Sequence, residues 1–356
     1  MAKVAPQIPK EVQELIKTYQ QAQNDLIRII AESEAKGNVT AYRRKILTQV
    51  NAELTALNKY AADWSTDYVT KTYTASANAI WRELDKAGVD VSGATINKKA
   101  LNKVVENTFG LLNDANRHVG RIMDDMIRQA GLEATKEKLV TGSTVKQMKE
   151  NLVSKLSEDG LSAIRYRNGQ LVKLDAYAGM VARTTATEAT NRAVMQQMQD
   201  LDQDLVQMSN HYSSCPLCSA YEGRVYSISG KDKRYPELDT AFSGDYANIH
   251  PNCAHRITPY VEKFDDNAAQ TREDSNKPFD TDEQSKAEQD AYNKSQTAKA
   301  ELREDRNTYE DMKLLLPNDA PGSLSAFRAM KRSDNENYRM LMHDYIYTKK
   351  TIEKTT

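Results

Sequence analysis

Apolar residues recur every three or four positions along much of this chain, the spacing that places them on one face of an α-helix. Val12, Leu15, Ile16, Tyr19, Leu26, Ile29 and Ile30 form the first such stripe. Gly37-Asn38 interrupts it, and a second, long run begins near Thr40. Ile46, Val50, Leu54, Leu57, Ala61 and Trp64 carry one face of that run, and Val104, Thr108, Leu111, Ala115, Val119, Ile122 and Met126 carry one face of a later helix. The absence of proline between Pro9 and Pro216 leaves all of this stretch free to be helical. The stripes are expected to bury one another in a helical bundle over 1–130.

From 131 the pattern changes. Gly131, Gly142 and Gly160 punctuate a short helix, and Ile164 to Leu174 reads as a β-hairpin about Asn168-Gly169, flanked by Ile164, Tyr166, Leu171 and Val172. Helical spacing resumes at Asp175 and runs to Met208, with Tyr177, Val181, Thr184, Glu188, Asn191 and Met195 near one face. Polar residues on such a face are unusual. Arg183, Glu188 and Arg192 suit a ligand or partner, whereas Glu188 and Arg192, four apart, suit an ordinary helix ion pair; the second account is preferred. Beyond Val261 the chain is polar and acidic with few apolar anchors, which reads as a linker or mobile arm over 263–290. Tyr292, Ala298, Leu302, Tyr309, Met312 and Leu315, then Phe327, Met330, Tyr338, Leu341 and Tyr345, predict two further helices over 291–356, separated by a break at 317–322. The expected fold is therefore mainly α with a small α+β module: an N-terminal bundle, a central domain over 131–262, and a C-terminal helical appendage.

Composition narrows the function classes. Lys and Arg number 49 against 50 Asp and Glu, a formal net charge of -1, so no global basic field draws the chain to nucleic acid or to an anionic membrane. Short basic runs such as Tyr42-Arg43-Arg44-Lys45 are solvated helix faces rather than a DNA-binding stripe. No segment has the length and apolarity of a signal peptide or a membrane span, and the expectation is a chain made in the cytoplasm with no membrane partner.

Chemistry concentrates in two short pieces. Cys215-Pro216-Leu217-Cys218 and His250-Pro251-Asn252-Cys253, the latter followed by His255, hold all three cysteines and two of the five histidines. Each piece has the form ligand-Pro-X-Cys, a tight turn that points two donors at one ion. Thiolates with imidazole suit tetrahedral zinc, and an odd cysteine count without a signal peptide argues against a disulfide framework. The preferred ligands are Cys215, Cys218, His250 and Cys253, with one structural zinc. His255 is the alternative fourth ligand or a supporting group, and His211 is a weaker candidate. The competing account is a metal-free module with reduced, buried cysteines. A zinc site here would help fold a β-containing module that includes Gly223 to Gly230.

Catalytic signatures are missing. No histidine is followed two places later by Glu as a zinc deaminase requires, and HExxH and nucleotide-binding glycine patterns are absent. We therefore expect no enzyme activity and no catalytic or organic-cofactor residues.

HYSSCPLCSAYEGRVYSISG from 211, YPELDTAF from 235 and IHPNCAHRITPYVE from 249 resemble the phage minor capsid protein 2 family, and more broadly the Mu F-like and SPP1-type head-morphogenesis proteins. The resemblance extends back through LDAYAGMVARTTATEATNRA. Head-morphogenesis relatives commonly carry a cysteine where this chain has His255. The resemblance implies a structural, low-copy component of a tailed-phage or prophage head, located in the virion and acting in procapsid assembly near the portal. Implied partners are the portal protein and the major capsid or scaffold protein, with contact to packaged DNA as a further option. The alternatives in other classes are a virion-carried enzyme or toxin domain, and a DNA-binding internal head protein.

Overall fold

The protein is described from a computed structural model, which places residues 9–34, 36, 38–141, 145–159, 162–165, 171–210, 216–239, 253, 255–278 and 286–355. In chain order the elements are α1 (Lys10–Ala31), α2 (Val39–Lys86), α3 (Lys98–Thr141), α4 (Val145–Asp159), β1 (Ser162–Arg165), β2 (Leu171–Lys173), α5 (Leu174–Asp200), β3 (Leu205–Met208), α6 (Pro216–Ser219), β4 (Val225–Ser227) and β5 (Ile257–Pro259). A 3-10 turn at Glu262–Phe264 is followed by α7 (Ala268–Ser275), α8 (Lys286–Leu315), α9 (Leu324–Ser333) and α10 (Glu336–Thr355). The fold is mainly helical with a small α+β module, as the periodicity predicts.

Side chains mark where these helices start and stop. Asn38 Oδ1 accepts from the Ala41 amide at 2.8 Å and Asn97 Oδ1 from the Ala100 amide at 3.0 Å, satisfying first-turn N–H groups of α2 and α3. Ser323 does the same for Ala326 in α9. α2 ends where Gly88 adopts φ +82° and the Val89 amide returns to the Leu84 carbonyl at 2.9 Å, a left-handed stop that glycine adopts without strain.

Two compact units make up the chain. The first comprises residues 1–15, 60–113 and 178–294. One of its clusters joins Val69, Tyr73 and Ala77 of α2 to Leu101 and Val104 of α3 and to Ala189 and Ala193 of α5. The alanines give α5 a slim face on which larger partners close. A second cluster packs Ile80 and Leu84 of α2 and Val194, Met195 and Met198 of α5 against Val206, Met208, Tyr226 and Ile257 of a three-stranded antiparallel sheet. The strand order is β4-β3-β5, with Val206 opposite both Tyr226 and Pro259. Along β3 buried Val206 and Met208 alternate with half-buried Leu205 and Gln207, so one face of the sheet meets the helices.

The second unit comprises residues 16–59, 114–177 and 295–356. Here Tyr19, Leu26, Ile30, Ile46, Val50, Val119 and Met123 are buried, and Asn116 donates to Asn58 Oδ1 at 2.7 Å. β1 and β2 form an antiparallel pair with Ile164 opposite Val172, the strands expected on either side of Asn168-Gly169; that turn and Tyr166 lie outside the described residues. Tyr309, Met312, Phe327, Leu341 and Tyr345 close α8, α9 and α10 into one core. Charges are buried too. Glu310 accepts from Gln23 at 2.9 Å and pairs with Lys173 and with Arg306, and Arg306 also pairs with Asp175.

Three local expectations are corrected. The helical run from Asp175 does not reach Met208: it stops at Asp200, where Asp202 takes φ +52° and the Gln203 amide caps the Met198 carbonyl, and Leu205–Met208 is a strand. Aspartate tolerates this left-handed conformation better than most residues, which lets Asp-Gln-Asp turn the chain. Gly131 lies within α3, which continues to Thr141. The polar stretch after Val261 contains α7, whose Ser275 accepts from the Val225 amide at 2.9 Å and so docks on the sheet.

Candidate metal centre

Cys218 sits on α6, and the turn that follows is fixed from two sides. The Tyr221 amide returns to the Cys218 carbonyl at 2.9 Å and the Gly223 amide reaches the Met208 carbonyl of β3 at 3.1 Å. Gly223 has φ +74°, a conformation that favours glycine, and its carbonyl accepts from Gln207 Nε2 at 2.9 Å. Cys253 and His255 come from the segment that leads into β5. α5 holds that segment by its backbone: Thr187 Oγ1 donates to the Cys253 carbonyl at 3.0 Å, Asn191 Oδ1 accepts from the Ile257 amide at 3.1 Å, and Asn191 Nδ2 reaches the His255 carbonyl at 3.5 Å. Of the polar residues that looked out of place on α5, Asn191 is thus a fixing of the loop, and Thr187, which the spacing did not single out, is the other. Glu188 and Arg192 form the expected i,i+4 pair, at 2.7 Å.

The result is a buried group of two thiols and one imidazole. Cys218 is 1% exposed, Cys253 2% and His255 4%, and their donor atoms all lie within 4.8 Å of one another. The sulfurs are 4.0 Å apart, and Cys253 Sγ is 3.4 Å from His255 Nδ1. With Zn–S and Zn–N bonds of about 2.3 and 2.0 Å, two sulfurs on a tetrahedral ion stand about 3.8 Å apart, and a sulfur and a nitrogen about 3.5 Å. These two separations match those edges and the third pair lies within 4.8 Å, so this set of donors could hold a metal ion. Burial opposes the charged imidazolium, but hydrogen bonds to Cys253 and Glu222 outweigh it and push His255 up to about 9 when no metal is bound.

Of the residues singled out from sequence, the structure brings together Cys218, Cys253 and His255. Cys215, His250 and His211 lie outside the described residues. Sequence reasoning missed Glu222, whose Oε1 is 2.7 Å from His255 Nε2. Its one signal was position: it is the first acidic residue after Cys218. Among the described residues no helix is long and apolar enough to cross a membrane.

Long helices, a small three-stranded sheet and a buried cysteine–histidine cluster define this as a mainly helical protein with a small α+β module. A family model described as phage minor capsid protein 2 matches residues 5–311, and the chain belongs to that family. It is a phage structural protein, as the 211–262 segments suggested. Comparison with curated proteins and with solved structures found no match to either.

Proposed function

We propose that this chain is a non-catalytic minor head protein that acts in procapsid assembly near the portal, contacts the portal and the major capsid or scaffold protein, and resides in the phage head. The observation that carries this reading is the extent of the family match, which over residues 5–311 takes in the first unit, the second unit up to most of α8, and the cysteine–histidine module. Long helices with one buried stripe supply rigid surface, the property an assembly component needs. The cluster fits the same role. Cys218, Cys253 and His255 would hold one structural zinc, which when bound cross-links α6 to the segment entering β5 and so supplies folding free energy to a three-stranded module beyond what its packing on α2 and α5 provides.

Quantitative mass spectrometry of gradient-purified particles, with the major capsid protein as the internal reference, tests the reading. The expected result is reproducible presence at a few copies per particle, with cross-links to the portal protein. Absence from both procapsids and mature particles overturns it and returns a non-virion enzyme to consideration.

A further inference from the structure

We infer that Glu222 is a positioning residue of the metal centre, which presents His255 to the ion through Nδ1. This rests on the reading of the cluster as a metal site and adds to it the ligating atom and the group that selects it.

The imidazole of His255 has two nitrogens in different surroundings. Nδ1 faces the sulfur of Cys253 at 3.4 Å, and Nε2 faces the carboxylate of Glu222 at 2.7 Å. A carboxylate only accepts, so the hydrogen bond requires the proton on Nε2. A metal-binding imidazole is neutral and holds one proton, and with that proton committed to Glu222 the lone pair is left on Nδ1, directed at the sulfurs. Burial sharpens the selection. The side chains of His255 and Glu222 are 4% and 8% exposed, so water competes little for either group.

Glu222 is held independently of the histidine. It follows Cys218 within the same turn, its amide reaches the Ser219 carbonyl at 3.4 Å, and the next residue is tied to β3 on both its amide and its carbonyl. One rigid turn therefore supplies a thiolate and the carboxylate that aims the imidazole, while α5 anchors the backbone at Cys253 and His255. Sequence alone left open whether His250 or His255 completes the site; this geometry assigns His255 a ligand's role with its own support.

Two measurements on the full-length chain test the inference. Zinc affinity is read by chelator competition on wild type, Glu222→Gln and Glu222→Ala, with circular dichroism of each zinc-loaded protein to confirm folding. We expect affinity to fall about tenfold to a hundredfold in Glu222→Ala and by less in Glu222→Gln, whose amide oxygen still accepts. Nitrogen NMR of zinc-loaded, ¹⁵N-histidine-labelled wild type and Glu222→Ala, with His255→Gln to assign the signal, should show a metal-bound Nδ1 and a protonated Nε2 in wild type and a shifted His255 signal in Glu222→Ala. Wild-type affinity in Glu222→Ala, or metal on Nε2, overturns the role of Glu222 while leaving the metal reading standing. Wild type that takes up no zinc overturns both. A merely structural Glu222 would alter stability of the zinc-free protein without moving the tautomer signal.

Discussion

Thr187, near the middle of α5, donates its hydroxyl to the backbone carbonyl of Cys253, 3.0 Å away and 66 residues later in the chain. The contact makes a helix that is buried on several sides, rather than a loop, the foundation of the cysteine–histidine cluster. One turn further along α5, Asn191 is fully buried and serves both the Ile257 amide and the His255 carbonyl.

Removing those fixings should loosen the module. Asn191→Leu leaves the Ile257 amide without its acceptor in a dry environment, which costs about 1–3 kcal/mol. Thr187→Val keeps the volume and removes the donor to Cys253, with a loss of about 1 kcal/mol. Urea denaturation checks both, with Gln196→Ala as the control: its partner Asp200 is reached on an exposed face, and that change should stay within about 0.5 kcal/mol.

Loss of a thiol should cost both metal and stability. On the proposed reading wild type carries about one zinc per chain, and Cys253→Ser or Cys218→Ser removes a buried soft donor and drops the zinc content toward zero. Chelation of wild type should lower its stability by about 3–4 kcal/mol where free zinc had exceeded the dissociation constant by two to three orders of magnitude. Elemental analysis and melting curves with and without chelator read the two effects. A folded, equally stable wild type that never contained metal would refute the structural zinc.

How far periodicity reached can be judged on α3. The stripe drawn from sequence runs through Val104, Thr108, Leu111, Ala115, Val119, Ile122 and Met126; the buried positions over that span are Val104, Thr108, Leu112, Ala115, Asn116, Val119, Met123 and Met126. Leu111 is 46% exposed and Leu112 fully buried. Adjacent leucines satisfy a period of 3.6 residues equally well, and only the packing partners separate them. α1 carried two such doublets, Leu15-Ile16 and Ile29-Ile30, of which Leu15 and Ile30 are buried and their neighbours only partly so, whereas Val12, Tyr19, Ile46, Val50 and Trp64 are buried as the spacing implied. Leu205–Met208 was missed as a strand because its alternation spans only four residues directly after a helical run. The cysteines and histidines announced themselves by spacing, whereas Glu222 and the Thr187–Asn191 anchor depend on contacts that no local pattern encodes.

The leucine doublet supplies its own test. Leu112→Ala opens a cavity and should cost about 2–5 kcal/mol, while Leu111→Ala, at a half-exposed site, should cost about 1 kcal/mol or less. Equal losses would mean that the face of α3 is turned from the one described.

Asp305 should make the C-terminal helices sensitive to acid. Its side chain is 7% exposed on α8, and on α9 Arg328 donates to it at 3.0 Å and Lys331 at 2.5 Å. Burial alone would raise its pKa, but the hydrogen bonds and charges of Lys331 and Arg328 prevail and hold the carboxyl below the usual carboxylate range. In the unfolded chain Asp305 titrates near its ordinary value of about 3.9. The folded state thus binds this proton more weakly than the unfolded state does. The stability that Asp305 contributes is fully present above about pH 4, and is lost as pH falls through the lower folded value. Asp305→Asn removes the charge and with it the linkage. Urea midpoints of wild type and Asp305→Asn, compared from about pH 7 down to pH 3, should differ by a constant amount above pH 5 and converge below pH 4. Other carboxylates acidify both proteins alike, so the difference isolates this residue. A gap that persists unchanged to the acid end would show that the Asp305 carboxylate pairs no more favourably with Arg328 and Lys331 in the folded protein than water solvates it in the unfolded one.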